Sequence, residues 1–340
     1  MSSHPGAPTL PEHENTARSS RPGSTDAPEI TPGLRLLITG ANGQVGWHLQ
    51  RTLAPLGEVT AIDVEQVDLT DLDAVAHVLR QSAPDIVVNA AAYTAVDKAE
   101  SEPELARAIN VAAPRRIAEE CARTGALLVH YSTDYVYDGS KPAPYEESDP
   151  TGPLSVYGQT KLAGDQAIMA SGCAHIILRT SWVYDVRGKN FLRTVLRLAR
   201  EREELRVVGD QYGAPTWARM LGESTALVLA RSLGQKSETG RWPEGGVFHL
   251  TAAGRTSWAG FAQAILEDYE YLVDWPADTG EFGGPLKAKR VVEITTEQYP
   301  TPARRPRNSV LANRLIAQRF GIFLPDWRRQ LRLALQSAIR

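Results

Sequence analysis

Residues 34–46, LRLLITGANGQVG, decide the fold of this chain. The apolar run at the start is typical of a buried strand in a parallel sheet. Gly40, Gly43 and Gly46 follow it, and they let the backbone turn sharply and approach a pyrophosphate because no Cβ atom stands in the way. The next residues resemble a helix whose N-terminal N–H groups would point at the phosphates. The stretch predicts a dinucleotide-binding turn, although its G-x-x-G-x-x-G spacing differs from the commoner G-x-G-x-x-G, and three glycines after a strand also fit a simple turn.

A carboxylate ends the next predicted strand, at residues 58–63. Asp63 lies about twenty residues beyond the glycines, where dinucleotide-binding folds place an acid on the adenosine ribose hydroxyls. An ordinary loop aspartate is the alternative interpretation. Asp68 and Leu69 follow shortly afterwards, and we expect them to pass beside the adenine.

Strands and helices continue to alternate up to about residue 180. We predict strands at 84–89, 126–131 and 175–179, and helices at 72–81, 102–124 (kinked at Pro114) and 157–166. This alternation is typical of right-handed βαβ units and a parallel sheet. The sequence therefore predicts an α/β fold with a Rossmann-like doubly wound parallel sheet.

The pattern loosens in the second half of the chain, where short strands separate longer helices. We interpret this half as a smaller C-terminal substrate-binding lobe, with some segments returning to the first domain. The expected division is a disordered tail at 1–33, a NAD(P)-binding domain at 34–180 and mainly the substrate lobe at 181–340. The tail is rich in Ser, Pro, Thr and Gly, cannot bury enough apolar surface to order itself, and lacks the apolar region of a secretory signal.

Composition excludes several classes of function. A formal charge of -3 argues against a general nucleic-acid binder. Cys121 and Cys173 form no motif with metal-ligand spacing, so we predict neither a disulfide framework nor an essential metal, and a reducing cytoplasm suits them. No apolar run approaches the roughly 18 residues that would span a membrane.

Tyr157 and Lys161 are the candidates for acid–base chemistry. They lie four residues apart, so their side chains share one face of the predicted helix. A phenol has a pKa near 10, and we expect a nearby ammonium to favour the phenolate and ease proton transfer. Ser132 or Thr133, at the end of a predicted strand, would hold a substrate carbonyl beside the phenol. Tyr-x-x-x-Lys alone is a weak signal, because many such pairs lie on solvated helices, but the upstream glycine loop strengthens it.

Several phrases along the chain carry a family resemblance. They are GANGQVG (40–46), NAAAYTAVDKAE (89–100), HYSTDYVYDG (130–139), YGQTKLAGD (157–165), RTSWVY (179–184), GDQYGAPT (209–216) and YPTPARRPRNSVL (299–311). Because these phrases occur in this order, the chain resembles the extended short-chain dehydrogenase/reductase superfamily. Within it, the later phrases are similar to the dTDP-4-dehydrorhamnose reductase family. Trp217 departs from the pattern, because a small residue is expected after GAPT.

The resemblance implies a role for each matching residue. The catalytic residues would be Thr133, Tyr157 and Lys161, with Tyr157 as proton donor to the C4 oxygen of a nucleotide sugar. NADPH or NADH would be held by Gly40, Asn42, Gly43, Gln44, Val45, Gly46, Asp63, Asp68, Leu69, Ala90, Ala91, Ala92, Tyr157 and Lys161. The substrate would contact Tyr93, Ser132, Trp182, Asn190 and Arg305. Some relatives form homodimers, and the resemblance leaves this arrangement open here.

Other functions remain compatible with the same motifs. A nucleotide-sugar 4,6-dehydratase is disfavoured, because such enzymes carry Asp-Glu after the threonine, whereas here Thr133 is followed by Asp134 and Tyr135. A 4-epimerase, or a reductase of another 4-keto sugar, is a closer alternative. A non-catalytic NADP-binding regulatory subunit, resembling that of methionine adenosyltransferase, is a third. The intact Thr133, Tyr157 and Lys161 set favours the enzyme.

Overall fold

The computed structural model describes residues 33–272 and 285–338. The predicted tail, residues 1–33, lies outside the described residues except for Gly33. Within the described part of the chain, no helix is both long enough and apolar enough to cross a bilayer.

The five strands predicted before residue 180 match the structure to within two residues at each end, and the described residues form further strands beyond them. The strands are β1 (Leu34–Thr39), β2 (Gly57–Ile62), β3 (Ile86–Asn89), β4 (Leu127–Thr133), β5 (His175–Thr180), β6 (Val183–Tyr184), β7 (Glu204–Val208), β8 (Tyr212–Gly213), β9 (Thr216–Trp217), β10 (Gly246–His249), β11 (Thr256–Ser257) and β12 (Arg290–Ile294).

The helices occupy the polar and amphipathic stretches between the strands. They are α1 (Gln44–Thr52), α2 (Leu72–Ser82), α3 (Val96–Ala99), α4 (Pro103–Arg107), α5 (Ala113–Thr124), α6 (Val156–Ala170), α7 (Phe191–Glu201), α8 (Ala218–Thr239), α9 (Trp258–Leu272), α10 (Arg314–Phe320) and α11 (Trp327–Ala338).

In the described residues, six strands form one sheet in the order β10-β5-β4-β3-β1-β2. Every neighbouring pair is parallel. The chain moves outward from β1 to β2 and then returns to place β3 on the other side of β1. Such a reversal opens a crevice at the carboxyl ends of the strands, where doubly wound folds bind ligands. The sheet confirms the predicted Rossmann-like α/β fold.

Alternate side chains of the sheet form two separate cores. On one face Leu36, Ile38, Val88 and Val129 pack with residues of α1, α8 and α10. On the other face Leu37, Val87, Leu128 and Ile177 pack with residues of α2, α5 and α6. Because successive residues of a strand point to opposite faces, a strand segment covered on both sides is apolar, as residues 36–38, 86–88 and 127–129 are.

The long helix predicted at 102–124 is divided differently from the expectation. A π-helical turn at Ala108–Ala112 separates α4 from α5, and Pro114 lies in the first turn of α5. Proline is tolerated there because its missing N–H would lack a helical partner anyway. The predicted kink at Pro114 is therefore wrong; the irregularity precedes it. The π-helical turn directs Asn110 inward, and the Asn110 side chain forms hydrogen bonds with the backbone N–H and carbonyl of Tyr93.

The second half of the chain contributes both to the sheet and to a core of its own. β10 is an edge strand of the main sheet, and α8 packs against α1. α7, α9 and α11 surround a second apolar cluster that includes Trp217. The indole N–H of Trp217 donates to the buried carboxylate of Asp185 (2.9 Å), which also contacts His48 of α1 (2.7 Å). The unexpected tryptophan is thus a core residue, linked through Asp185 to the helix after the glycine loop.

Candidate active site

The glycine loop joins β1 to α1 and passes close to the alanines that follow β3. Gly40 has a φ of +75°, and a Cβ there would lie 2.8 Å from the backbone of Ala91. A Cβ on Gly46 would lie 1.9 Å from the carbonyl oxygen of Gly40. α1 starts at Gln44, and its N-cap, Gly43, offers no side chain to its first N–H groups. A tight loop that ends at such a helix N-terminus fits a diphosphate.

A cavity of about 150 Å³ extends from this loop towards the end of β2. One oxygen of Asp63 accepts a hydrogen bond from the backbone N–H of Asn42 (2.7 Å), so Asp63 also supports the glycine loop. Asp68 accepts from the backbone and hydroxyl of Thr70, and these bonds lower the pKa of its carboxyl. The cavity is lined by Thr39, Gly40, Ile62, Asp63, Val64, Val67, Asp68, Leu69, Ala91, Ala92 and Ile109.

The other residues predicted to bind the cofactor surround the same loop. Ala90 donates its N–H to the carbonyl of Thr39 at the end of β1. Val45 packs against the core beneath the loop. The amide oxygen of Gln44 is buried and has no hydrogen-bond partner among the described residues. Part of the predicted set therefore lies around one crevice, and these residues fit a dinucleotide; the residues that line the crevice are Gly40, Asp63, Asp68, Leu69, Ala91 and Ala92.

The three predicted catalytic residues come from the end of β4 and the start of α6. The hydroxyl of Ser155 caps α6 by accepting from the N–H of Gly158 (3.2 Å). The Thr133 hydroxyl donates to Asp134 (3.0 Å) and accepts from the N–H of Tyr135 (3.2 Å). Burial raises the pKa of Tyr157 to about 12, and the Thr133 hydroxyl partly offsets this. The phenol is therefore protonated at neutral pH and able to donate.

Lys161 is not placed as the sequence suggested. Its Nζ donates to the carbonyl oxygen of Tyr131 (2.7 Å) and lies 3.0 Å from Nε2 of His130. Burial lowers the pKa of Lys161 to about 8, and the negative charge of Asp165 opposes the shift. The expectation that Lys161 favours the Tyr157 phenolate is wrong for this arrangement, because the amine extends under β4 and the pKa of Tyr157 is raised.

The five predicted substrate residues all have partners within the protein. The hydroxyl of Tyr93 donates to Glu102 (2.5 Å), and that of Ser132 donates to the buried Asp165 (2.8 Å). Ser132 and Thr133 are adjacent in β4 and therefore point to opposite faces of the sheet. Of these two hydroxyls, only that of Thr133 can therefore face a substrate carbonyl that lies beside the Tyr157 phenol.

Asn190 and Arg305 hold loops of the second half. Asn190 caps α7 through the N–H of Arg193 (3.2 Å) and donates to the carbonyl of Asp185 (2.7 Å). Arg305 forms a bidentate pair with Asp97 of α3, at 3.0 and 2.7 Å. This pair lowers the pKa of Asp97. A phosphate that binds Arg305 would have to share the guanidinium with Asp97.

Trp182 follows β5 and has a strained backbone. Its φ is +47°, a conformation uncommon for a bulky residue and found preferentially at functional sites. Its indole stacks on Trp258 with 3.5 Å between ring centroids and 3° between planes. A Cβ on Gly213 would lie 2.3 Å from the same indole. Trp258 and Gly213 therefore fix the position of Trp182.

We predict that Trp258→Ala weakens nucleotide-sugar binding without changing cofactor binding. Loss of the stack removes about 0.5–1.5 kcal/mol, so the KM for the sugar nucleotide should rise roughly three- to tenfold. Steady-state kinetics and NADH titration measure the two effects. Trp242→Ala is the matched control, because Trp242 contacts Lys236 and the Gly125 carbonyl instead. An unchanged KM in Trp258→Ala would contradict the role of the stack.

Sequence reasoning missed three residues beside the predicted site. Trp258 gave no signal, because its contact with Trp182 joins distant segments. Asp134 is buried after β4, and burial raises the pKa of its carboxyl to about 7. His130 directly follows the apolar run Leu127-Leu128-Val129 of β4, and a polar residue in a buried strand is the signal that could have identified it.

Comparison with known proteins places this site in a family. The family model "RmlD substrate binding domain" matches residues 34–339. A dTDP-4-dehydrorhamnose reductase of Burkholderia thailandensis is 48% identical over 306 residues, which cover 90% of this chain and 99% of the relative. The chain belongs to the dTDP-4-dehydrorhamnose reductase family.

Solved structures of dTDP-4-dehydrorhamnose reductases are also similar in fold. The Clostridium acetobutylicum protein superimposes with a TM-score of 0.78 at 35% identity, covering 89% of this chain and 99% of that one. The Bacillus anthracis protein, solved in complex with NADP, has a TM-score of 0.77 at 33% identity, covering 90% of this chain and 99% of that one.

Proposed function

We propose that this protein reduces the C4 keto group of dTDP-4-dehydro-L-rhamnose to give dTDP-L-rhamnose, with NADPH or NADH as reductant. The observation that carries the proposal is that the Thr133 hydroxyl interacts with the Tyr157 phenol at the carboxyl end of β4, in the same sheet as a glycine loop that fits a dinucleotide. The family relationship supplies the substrate class. The bound nicotinamide supplies the hydride.

The residues of the chain supply the proton and the positioning. The Tyr157 hydroxyl donates its proton to the C4 oxygen, and the raised pKa of Tyr157 keeps the phenol protonated until then. The Thr133 hydroxyl lies beside it and orients the carbonyl. Lys161, charged below its pKa of about 8, is assigned to the ribose of the nicotinamide, as the family resemblance implies.

The remaining predicted contacts are part of the proposal. We assign the dinucleotide to the glycine loop and to Asp63, which favours free ribose hydroxyls and so NADH, while both cofactors stay open. We assign the sugar nucleotide to Tyr93, Trp182, Asn190 and Arg305, and we leave out Ser132 because its hydroxyl donates to the buried Asp165. The divisions at 34–180 and 181–340 are proposed on the change in the strand–helix pattern, a cytoplasmic location on the two free cysteines, and a homodimer on the family resemblance.

The structure offers a reason why dehydration is disfavoured. Tyr135 occupies the position of the acid that dehydratases use, and its ring meets that of Tyr157 edge to face at 5.7 Å. A phenol whose pKa is raised by burial cannot remove a proton as a carboxylate would.

The test is consumption of NADPH, and separately NADH, with dTDP-4-keto-6-deoxyglucose and a 3,5-epimerase. We expect turnover with the epimerase, none without it, and a product that co-elutes with dTDP-L-rhamnose. Cofactor binding without consumption would contradict the proposal and favour a regulatory subunit. Turnover only with another 4-keto sugar nucleotide would keep the chemistry and replace the substrate.

A further inference from the structure

A chain of buried polar side chains connects the start of the glycine loop to Lys161. Thr39, the last residue of β1, donates its hydroxyl to Oδ1 of Asn89 (2.7 Å). Nδ2 of Asn89 lies 3.0 Å from Nδ1 of His130, and Nε2 of His130 lies 3.0 Å from Nζ of Lys161. These four side chains are at most 4% exposed. The pairing of β1 with β3, and of β3 with β4, sets Thr39, Asn89 and His130 side by side.

The directions of these hydrogen bonds determine which proton each group carries. Because Asn89 accepts from Thr39 through Oδ1, its amide N–H₂ faces His130, and Nδ1 of His130 must accept. A neutral imidazole with a free Nδ1 carries its hydrogen on Nε2. That hydrogen points at Lys161, which can accept it only as a neutral amine.

The charged form of Lys161 requires the opposite arrangement. An ammonium has no lone pair, so Nε2 of His130 must accept and its hydrogen must move to Nδ1. Nδ1 then donates to Asn89, whose amide turns over and donates to Thr39. Both arrangements keep a hydrogen bond at each of the three contacts in the row, and they differ by one proton at Lys161.

We propose that His130, oriented by Asn89 and Thr39, is a positioning residue that lets Lys161 exist as ammonium or amine inside the protein by changing which ring nitrogen carries its hydrogen. The proposal rests on the proposed function, because Lys161 belongs there to the residues that hold the cofactor. It adds a fully buried residue that acts through its contact with Lys161.

The charged neighbours of Lys161 fit this role. Asp165, on the same helix, has one carboxylate oxygen 4.0 Å from Nε2 of His130, and its other oxygen accepts from Ser132 of β4 and Arg179 of β5. Tyr157 shares α6 with Lys161. Burial and the charge of Lys161 hold the pKa of His130 well below its usual value, so the imidazole is neutral. The proton exchange therefore concerns Lys161, whose pKa is about 8.

Two substitutions should move the titration of Lys161 in opposite directions. His130→Phe removes an acceptor from the ammonium, and a bond to a charged group is worth more than one to a neutral amine, so the midpoint should fall by about one pH unit. Asn89→Asp places a carboxylate against Nδ1, fixes the hydrogen there and leaves Nε2 to accept, so the midpoint should rise. The pH at which kcat/KM for keto reduction declines on the alkaline side should therefore be lower in His130→Phe and higher in Asn89→Asp than in the wild type.

His77→Phe is the matched control, because His77 is an exposed residue of α2. It should keep the wild-type midpoint. Opposite shifts in the two variants would support the proposal. Unchanged midpoints in both, or shifts in the same direction, would overturn it, even if the rates fell, because a merely structural role lowers the rate equally at all pH values.

A second measurement needs no turnover. The folded pKa of Lys161 is below its unfolded value, so the unfolded chain binds more protons, and the cost of burying the charged Lys161 falls as pH rises above about 8. If His130→Phe lowers the folded pKa of Lys161 further, the free-energy cost of burying the charged lysine becomes larger near neutral pH. At alkaline pH the lysine is neutral in both proteins and this cost does not differ. The gap in unfolding free energy between wild type and His130→Phe should therefore narrow from about pH 7 to about pH 9.

Urea unfolding of the cofactor-free protein at each pH measures this gap. A gap that stays constant, as expected for His77→Phe, would overturn the proposal. If the wild-type protein reduces no 4-keto sugar, the proposed function fails while this measurement still decides the role of His130.

Discussion

Tyr157→Phe is expected to lower kcat by roughly 10²–10⁴-fold, the usual contribution of a general acid. Phenylalanine keeps the ring that meets Tyr135 but cannot protonate the C4 oxygen. Because burial keeps the phenol protonated across the physiological range, its loss should be equally severe at every pH below about 8. NADH titration should give a near wild-type Kd, since the ring and the helix stay in place.

The matched control for this substitution is Tyr299→Phe, which removes a phenol from a tyrosine that is 60% exposed. It should leave kcat and KM unchanged. A Tyr157→Phe protein that turns over at near the wild-type rate would remove Tyr157 from the role of proton donor. A protein that also loses NADH binding would point to a disturbed fold, which thermal melting would reveal.

The sequence predicts most of the fold because the signals are local. The apolar run before Gly40 can only be buried on both faces, and the similar runs at β3 and β4 repeat the pattern at βαβ spacing. The order of Gly40, Gly43 and Gly46 places the turn, and a four-residue spacing places Tyr157 and Lys161 on one helix face. These features depend on residues that are near each other in the chain.

The direction of Lys161 could not be predicted in the same way. Its amine bonds Tyr131 and His130, which precede it by about thirty residues and reach it only through the pairing of β4 with the rest of the sheet. The sequence shows that Tyr157 and Lys161 share a face, but not that a long side chain will turn under the sheet instead of towards the phenol. The buried environment then determines both pKa values.

The substrate residues were the least predictable for a related reason. The partner of Trp182 is Trp258 and that of Arg305 is Asp97, and each pair joins segments separated by at least 76 positions. The π-helical turn before Pro114 is similar, since Asn110 turns inward to satisfy the backbone of Tyr93. Such pairings are set by the three-dimensional arrangement of the folded chain and leave no periodic pattern in the sequence.

Gly46→Ala is expected to reduce both NADH affinity and stability. A Cβ at this position would lie 1.9 Å from the carbonyl oxygen of Gly40 and 2.8 Å from its carbonyl carbon. Both atoms are backbone, so the loop itself has to move. Overpacking of this kind lowers the free energy of unfolding by about 1–3 kcal/mol. A displaced loop no longer points its N–H groups at the diphosphate, so the Kd for NADH should rise at least about tenfold.

Two further glycine substitutions make this prediction a graded one, measured by urea unfolding and NADH titration. At Gly43 the Cβ would lie 3.2 Å from the Gly40 carbonyl, so Gly43→Ala should have a smaller effect on both quantities. Gly234 lies in α8 with no atom of the described residues within 4 Å of the added Cβ. Gly234→Ala should therefore stabilise the protein by about 0.5–1 kcal/mol, the gain from alanine in a helix, and leave the Kd unchanged. Wild-type NADH affinity in Gly46→Ala would show that the cofactor does not depend on the close approach of α1 to Gly40, and the diphosphate would then have to be assigned elsewhere in the crevice.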